Sequence, residues 1–433
     1  MPGIPVRCGE FGKLTESGRR VILNLSKILG IKKGGITVIY LDNAATTRTA
    51  PEVVEAMLPF FSENYGNASS IYGLGSISKK ALNQARRILA DALGARQEEI
   101  YFTAGGSEAD NWALKAAAEA YKDKGKHIVT TRIEHHAVLH TCAYLEKQGY
   151  EVTYVGVDEN GIVRLEELEA AIRPDTILLS VMYANNEVGT LQPIGEIGQI
   201  AHDRGVLFHT DAVQAFGQMP IRVDELHIDM LSASAHKVNG PKGVGCLYIR
   251  SGLKLGSFIH GGAQERSRRA GTENVPGIVG FGKAIERAVG IMPEKIEREM
   301  RLRDYLIDRI YEKIPYCRLN GDRNRRLPGN VNFSFRFVEG ESVLIMLDMK
   351  GICASSGSAC TSGALDPSHV LLAMGLPHEL AHGSLRMTLS EENTEEEMDA
   401  VVDALAEIVG KLRAMSPLYE DFIKSQRGEG HVQ

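Results

Sequence analysis

Cysteine is sparse in this chain, and its absences set the first bounds. The six thiols stand at 8, 142, 246, 317, 353 and 360 and never form a C-x-x-C pair, which excludes a zinc ribbon and a thioredoxin-type motif. No apolar run approaches the ~18 residues needed to cross a bilayer, and no secretory apolar segment opens the sequence. These absences point to a cytoplasmic protein with free thiols and no membrane association. A dominant charge is missing too. The 49 Lys+Arg against 55 Asp+Glu leave −6, without the basic footprint of a nucleic-acid binder. Repeats and low-complexity tracts are absent. What is present has globular proportions, 43% hydrophobic and 24% charged. The 433 residues suffice for about two to three domains at ~150 residues each.

The first 37 residues form a distinct extension. Arg7, Lys13, Arg19, Arg20, Lys27, Lys32 and Lys33 face only Glu10 and Glu16, a local balance of +5. Leu14, Val21, Leu25 and Leu29 fall near helical spacing, so a short docking helix or a loose tail is expected there. From Thr37 onward strand and helix alternate. TVIYLD at 37–42, IYFTA at 100–104, HIVTT, EVTYV, TILLSVMYA and VLFHTDA read as strands, with helices over 76–93 and from Ser107 to Lys122. This alternation predicts an α/β domain with a mostly parallel sheet flanked by helices. Beyond about residue 290 a charged helix over 293–313, the strand VNFSFRF, a helix over 340–349, the strand SLRMTLS and a helix over 394–413 predict a smaller α+β domain. The expected division is an extension 1–37, a large domain 47–291, and a small domain made of 38–46 with 292–433.

Chemistry concentrates in three segments. In SASAHKVNGPKGVG, 232–245, Lys237 directly follows a strand, among small residues and a histidine. A lysine that holds an aldehyde cofactor as a Schiff base needs such a setting, although a solvated strand-end lysine explains the residue taken alone. In HTDAVQAFG, Asp211 closes the strand VLFHT, at the end where open α/β sheets assemble their sites. Pyridoxal 5'-phosphate requires an acid against its pyridine nitrogen, and Gln214 suits its phenolic oxygen. An ordinary helix N-cap explains Asp211 equally well. FTAGGSEADN, 102–111, runs from strand through Gly-Gly-Ser into helix, the layout of a phosphate cradle, to which Ser234 and His236 would add donors.

Together these segments resemble the fold-type I pyridoxal phosphate enzymes, specifically the NifS/IscS-type cysteine desulfurases of the class-V aminotransferase superfamily. The likeness runs from YLDNAATT (40–47) to KLRAMSPLYEDF (411–422). It passes through GNASSIYGLG (66–75), EHHAV (134–138), ANNEVGTLQPI (184–194), HGGAQERSRRAGTENVPGIVG (260–280) and SSGSACTSGALDPSHVL (355–371). The resemblance implies that Lys237 is the Schiff-base lysine and proton shuttle, and that His135 stacks on the pyridine face and assists acid–base steps. Asp211 would hold the pyridine nitrogen, with Gln214 and Asn186 at the ring oxygen. Gly106, Ser107, Ser234 and His236 would bind the phosphate, and Thr272 would reach the phosphate in the neighbouring subunit of a homodimer. Arg386 would grip the substrate carboxylate, with Asn43 and Asn186 nearby. Two positions depart from the family habit: Ser107 stands where threonine is frequent, and His136 where lysine is frequent. His135, His136 and His140 have no cysteine or acid at ligand spacing, so no resident metal is expected.

Cys360 differs from the other five thiols. It lies in SSGSACTSGALDPS, with two glycines and almost no apolar bulk, whereas core cysteines sit among large aliphatics. Such composition suits a loop that carries a moving catalytic group. The resemblance then implies L-cysteine as substrate, L-alanine as product and Cys360 as the thiol that takes the sulfur as a persulfide. It also implies an iron–sulfur scaffold or another sulfur-acceptor protein as partner, with Cys360 a transient iron–sulfur ligand at most. A selenocysteine lyase or an aminotransferase would share the cofactor residues without needing the thiol. A non-enzymatic iron–sulfur scaffold would need Cys360 without Lys237.

Overall fold

A computed structural model describes residues 38–356 and 367–426. The first short strand, β1 (Ile39–Tyr40), precedes the strands of the large sheet. These are β2 (Ile100–Thr103), β3 (His127–Thr131), β4 (Glu151–Val155), β5 (Thr176–Ser180), β6 (Leu207–Asp211), β7 (Met230–Ser234) and β8 (Gly245–Ile249), in the spatial order β2-β8-β7-β6-β5-β3-β4. β8 runs antiparallel to both neighbours, and the remaining pairs are parallel. The α/β architecture with a mostly parallel sheet is therefore the one expected from the alternating pattern. Residues of β2, β3, β5, β7 and β8 are buried throughout, as in a sheet covered on both faces, where β-branched runs replace alternation. The strand GCLYI of β8 was not among the expected ones. It follows a glycine-rich turn so closely that its five residues carry little pattern of their own.

Helices Gly73–Leu93 and Gly106–Tyr121 match the expected spans to within a few residues. The helix expected over 293–313 is longer. It runs from Val275 to Lys313, with Pro293 in its interior. A proline ordinarily ends a helix pattern because it removes a donor and crowds the preceding turn. Here the N-terminal half is held by packing. A Cβ built on Gly282 would lie 2.8 Å from Ala85 Cα, so the helix backbone sits directly on helix Gly73–Leu93.

The C-terminal part has its own core, with Leu41, Leu302, Phe333, Phe335, Leu385, Met387, Val401 and Leu405 buried together. Strands β9 (Cys317–Leu319), β10 (Asn330–Phe335) and β12 (Ser384–Thr388) form an antiparallel sheet in the order β12-β10-β9. β1 pairs in parallel with β11 (Ile352–Cys353). The expected strand 37–42 shortens to two residues because the chain then turns to form a single bridge from Asp42 to Thr388. Helix Glu395–Ala414 starts at a reciprocal capping box of Thr394 and Glu397.

Candidate active site

Strand ends of the large sheet and the strap 41–47 converge on one cavity of about 250 Å³. It is lined by Gly106, Ser107, His135, Asn186, Asp211 and Gln214, and by Ser234, His236, Lys237 and Arg386. These residues come from separate segments of the sequence, and the topology brings all ten to one place. β7 ends at Ser234, and a single 3-10 turn, Ala235–Lys237, carries the lysine past the strand end. Lys237 Nζ donates to the carbonyl oxygens of Ala44 at 2.5 Å and Ala45 at 2.8 Å. Gln214 Nε2 donates to the same Ala44 carbonyl at 3.1 Å. Thr47 fastens the strap from both its backbone N–H (2.9 Å) and its hydroxyl (2.8 Å) to the carbonyl of His236.

The end near Gly105 has the form of an anion cradle. Gly105 adopts φ 156°, a conformation only glycine takes readily, and helix Gly106–Tyr121 opens immediately after it. A Cβ on Gly106 would fall 2.5 Å from Val213 Cγ2, so the approach to this helix start is kept clear by the missing side chain. Unpaired helix N–H groups, the hydroxyls of Ser107 and Ser234, and His236 supply the donors that a phosphate requires.

At the opposite end lies buried acid. Asp211 accepts from the Val213 N–H at 2.9 Å, and burial pushes its carboxyl up to about 6. Asp110 is raised well above the usual range by burial and by the charge of Asp211, and its Oδ1 has no hydrogen-bond partner. His209, 3.7 Å from Asp110, is pushed down to about 3 by burial and supplies no compensating charge. The charge of Lys237 offsets part of this for Asp211, and a cationic ring nitrogen would offset the rest, so the residues fit a pyridinium. His135 stands with them; ligand atoms of Asp110, His135 and Asp211 lie within 4.8 Å of one another. Its Nδ1 accepts from the Ala137 N–H at 3.1 Å, which leaves the proton on Nε2. Burial first, then the charge of Lys237, lowers its pKa to about 4, so the ring is neutral at pH 7.

Arg386 closes the third side. Its Nη2 donates to Asp42 Oδ1 at 2.9 Å and its Nη1 to the Asn186 carbonyl at 3.0 Å, while the buried Nε has no partner. Its backbone pairs in both directions with Ser355, just before the segment 357–366. That segment ends beside Ser368, whose hydroxyl bonds the buried carboxylate of Glu187. Cys360 lies outside the described residues, within the stretch whose two ends are held beside Arg386 and Glu187.

Two expected residues stand elsewhere. Asn43 lines a smaller adjoining cavity with Lys237, its amide donating to the Thr388 carbonyl at 2.8 Å. Thr272 is exposed and lines neither cavity. Asp42 and Asp110 went unread in the sequence. A signal existed for each: Asp42 immediately precedes Asn43, and Asp110 follows Ser107 at the i+3 spacing that places both on one helix face.

The class-V aminotransferase family model matches residues 39–401. The curated protein "Cysteine desulfurase IscS" of Methanosarcina thermophila is 60% identical over 380 residues, covering 88% of this chain and 94% of the relative. A solved structure titled "NIFS-LIKE PROTEIN" superposes with a TM-score of 0.81 at 40% identity, covering 86% of this chain and 99% of that one. Another, "SspA in complex with cysteine", gives a TM-score of 0.74 at 37% identity, covering 82% of this chain and 100% of that one. The chain thus belongs to the class-V aminotransferases, a family of pyridoxal phosphate enzymes, and within it to the IscS/NifS cysteine desulfurases.

Proposed function

We propose that this protein is a pyridoxal 5'-phosphate-dependent cysteine desulfurase. It converts L-cysteine to L-alanine and passes the sulfur, as a persulfide on Cys360, to an acceptor protein for iron–sulfur cluster assembly or another sulfur-containing cofactor. The observation that carries this reading is the single cavity shared by Lys237, Asp211, the Gly106–Ser107 turn and Arg386. A related structure holding cysteine supports the substrate.

When bound, the cofactor supplies an aldehyde that captures amines and a ring that absorbs the electrons released at the substrate α-carbon. Lys237 would hold the aldehyde and, once displaced by substrate, take the α-proton and return it. The Ala44 and Ala45 carbonyls fix its Nζ beside the cavity. Asp211 would keep the ring nitrogen protonated, with Gln214 and Asn186 at the ring oxygen. Gly106, Ser107, Ser234 and His236 would bind the phosphate. Arg386, already anchored by Asp42, would present its guanidinium to the substrate carboxylate, assisted by Asn43 and Asn186. Neutral His135, with its proton on Nε2, would pack against the ring and assist acid–base steps as a donor.

A hydrophobic core of its own, from Leu41 and from Leu302 to Val409, supports a small domain of 38–46 with 292–433 beside a large domain 47–291, although Leu327 and Val370 to Ala381 pack into the large sheet's core. Phe61, Tyr65, Ile71 and Tyr72, from 54% to 105% exposed, support a homodimer, because an apolar patch of this kind marks a contact surface. Thr272 would act across that contact. Free thiols at Cys142, Cys246 and Cys317 support a reducing, cytoplasmic setting, and no described helix is long and apolar enough to cross a membrane.

Alanine and sulfide release from L-cysteine under reducing conditions tests the proposal. Equal amounts of both products are expected, and both should be lost in Cys360→Ala. Alanine that survives the substitution would indicate a lyase. Absence of product with cofactor bound would favour the scaffold reading.

A further inference from the structure

A second cavity, of about 50 Å³, adjoins the site and shares Ala44, Gln214 and Lys237 with it. It is large enough for an ordered water, and its polar lining gives that water partners. Among the lining residues is Glu299, which is 3% exposed in the middle of helix Val275–Lys313 and has no part in the scheme above. Its carboxylate reaches the cavity past Gly329; a Cβ there would lie 3.3 Å from Glu299 Oε2.

The surroundings of Glu299 are built rather than incidental. Lys295, one turn earlier and 6% exposed, lies 3.8 Å from Glu299 Oε1 and 3.9 Å from Glu391 Oε2. Lys295 also donates to Gln218 Oε1 at 2.6 Å, and Gln218 Nε2 donates to the backbone carbonyl of Lys237 at 3.0 Å. The acid is thereby tied to the main chain of the lysine while lining a cavity with the same residue. The charged groups around it are Lys295 on its own helix, Glu391 from the segment after β12, and Lys237 at the cavity. Despite burial, Lys295 and Arg287 hold Glu391 low, so Glu391 carries the negative charge of the cluster. Burial pushes Glu299 up to about 7, which leaves it as the member that gains or loses a proton near neutrality.

We propose that Glu299 is a positioning residue for Lys237 that exchanges a proton with it through water in this cavity. A proton leaves the Lys237 ammonium for the water, which passes one of its own to the Glu299 carboxylate. The products are a neutral amine and a neutral carboxylic acid, with no net change of charge, and the reverse restores both. The exchange would free the lysine amine for the next α-proton without opening the substrate side of the site to solvent. This inference rests on the reading of Lys237 as the cofactor-holding lysine.

The test is wash-in of deuterium at the α-carbon of L-alanine in D₂O, followed by NMR on the cofactor-loaded full chain. This exchange needs Lys237 but not Cys360. Glu299→Gln should slow it about tenfold or more at neutral pH, flatten its pH profile, and leave the visible absorbance of the lysine-bound cofactor unchanged. Glu299→Asp should recover part of the rate. In the cofactor-free chain, a protonated-carboxyl infrared band should titrate near neutrality and be missing from Glu299→Gln. Equal exchange in wild type and Glu299→Gln would overturn the proposal. So would a loss that is constant across pH and shared in full by Glu299→Asp, which marks a purely structural tie. A chain that takes up no pyridoxal phosphate would instead overturn the reading of Lys237 on which the proposal rests.

Discussion

At the scale of single residues, burial raises the carboxyls in and around the site. Glu134 of the EHHAV motif is the clearest. Its Oε1 accepts from the Thr131 hydroxyl at 2.7 Å and the Met182 N–H at 3.0 Å, and burial pushes its pKa to about 8. A carboxyl whose folded value lies above its unfolded value binds its proton more tightly in the folded chain. Its contribution to stability is therefore full below the unfolded value of 4.5 and is lost as pH rises toward 8. Glu134→Gln, which keeps the neutral shape, should gain on the wild type by about 1.4 kcal/mol per pH unit across that window. Chemical denaturation of both proteins at several pH values measures it, and a difference independent of pH would refute the assignment. Lys237, Asp211 and Arg386 were legible in the sequence because each stands in an ordered motif at a strand end or in a strand. Asp42 and Asp110 were not, since a lone acid beside a turn or inside a helix has no local signature. The partner of Asp42 is 344 residues away, and only the folded chain joins them.

At the scale of elements, periodicity identified most of the helices and the parallel strands, and it failed where tertiary contact overrides local preference. Pro293 was read as a helix start, yet helix Val275–Lys313 passes through it because its first half is clamped against helix Gly73–Leu93. The clamp depends on glycine. Gly282→Ala would place a methyl 2.8 Å from both Ala85 Cα and Cβ and push the helices apart. We expect a loss of about 1–3 kcal/mol, read as a lower urea midpoint with an unchanged slope. An unaltered midpoint would mean that the pair has slack the structure does not reveal. β8 escaped notice for the opposite reason. Its antiparallel placement between β2 and β7 is a property of the sheet, and nothing within its five residues encodes it.

At the scale of the whole molecule, the proposed homodimer makes Thr272 a test of whether one site draws on two chains. Thr272 is exposed and lines neither cavity of its own chain, while exposed apolar residues at 61–72 offer a contact surface. Mixing Lys237→Ala protein with Thr272→Ala protein and allowing subunits to exchange should restore desulfurase activity that neither parent shows in full. In the mixed dimer, one cavity has an intact lysine and receives threonine from the other chain. No recovery after verified exchange would remove Thr272 from the site. The broad architecture was legible because strand–helix alternation is a repeated pattern; the joining of the large sheet to the C-terminal core was not, because it depends on the first and last described strands. Asn43 and Ala44 bond to Thr388, 345 and 344 residues along the chain. On the ribosome, the seven strands of the large sheet are all made well before Thr388 appears. The strap that holds Lys237 is thus fastened to His236 through Thr47 first, and gains its second hold, at Asn43 and Ala44, only with the last-made strand. The cavity is accordingly completed only after nearly all of the chain has been synthesised, because Arg386 of β12 is part of its wall.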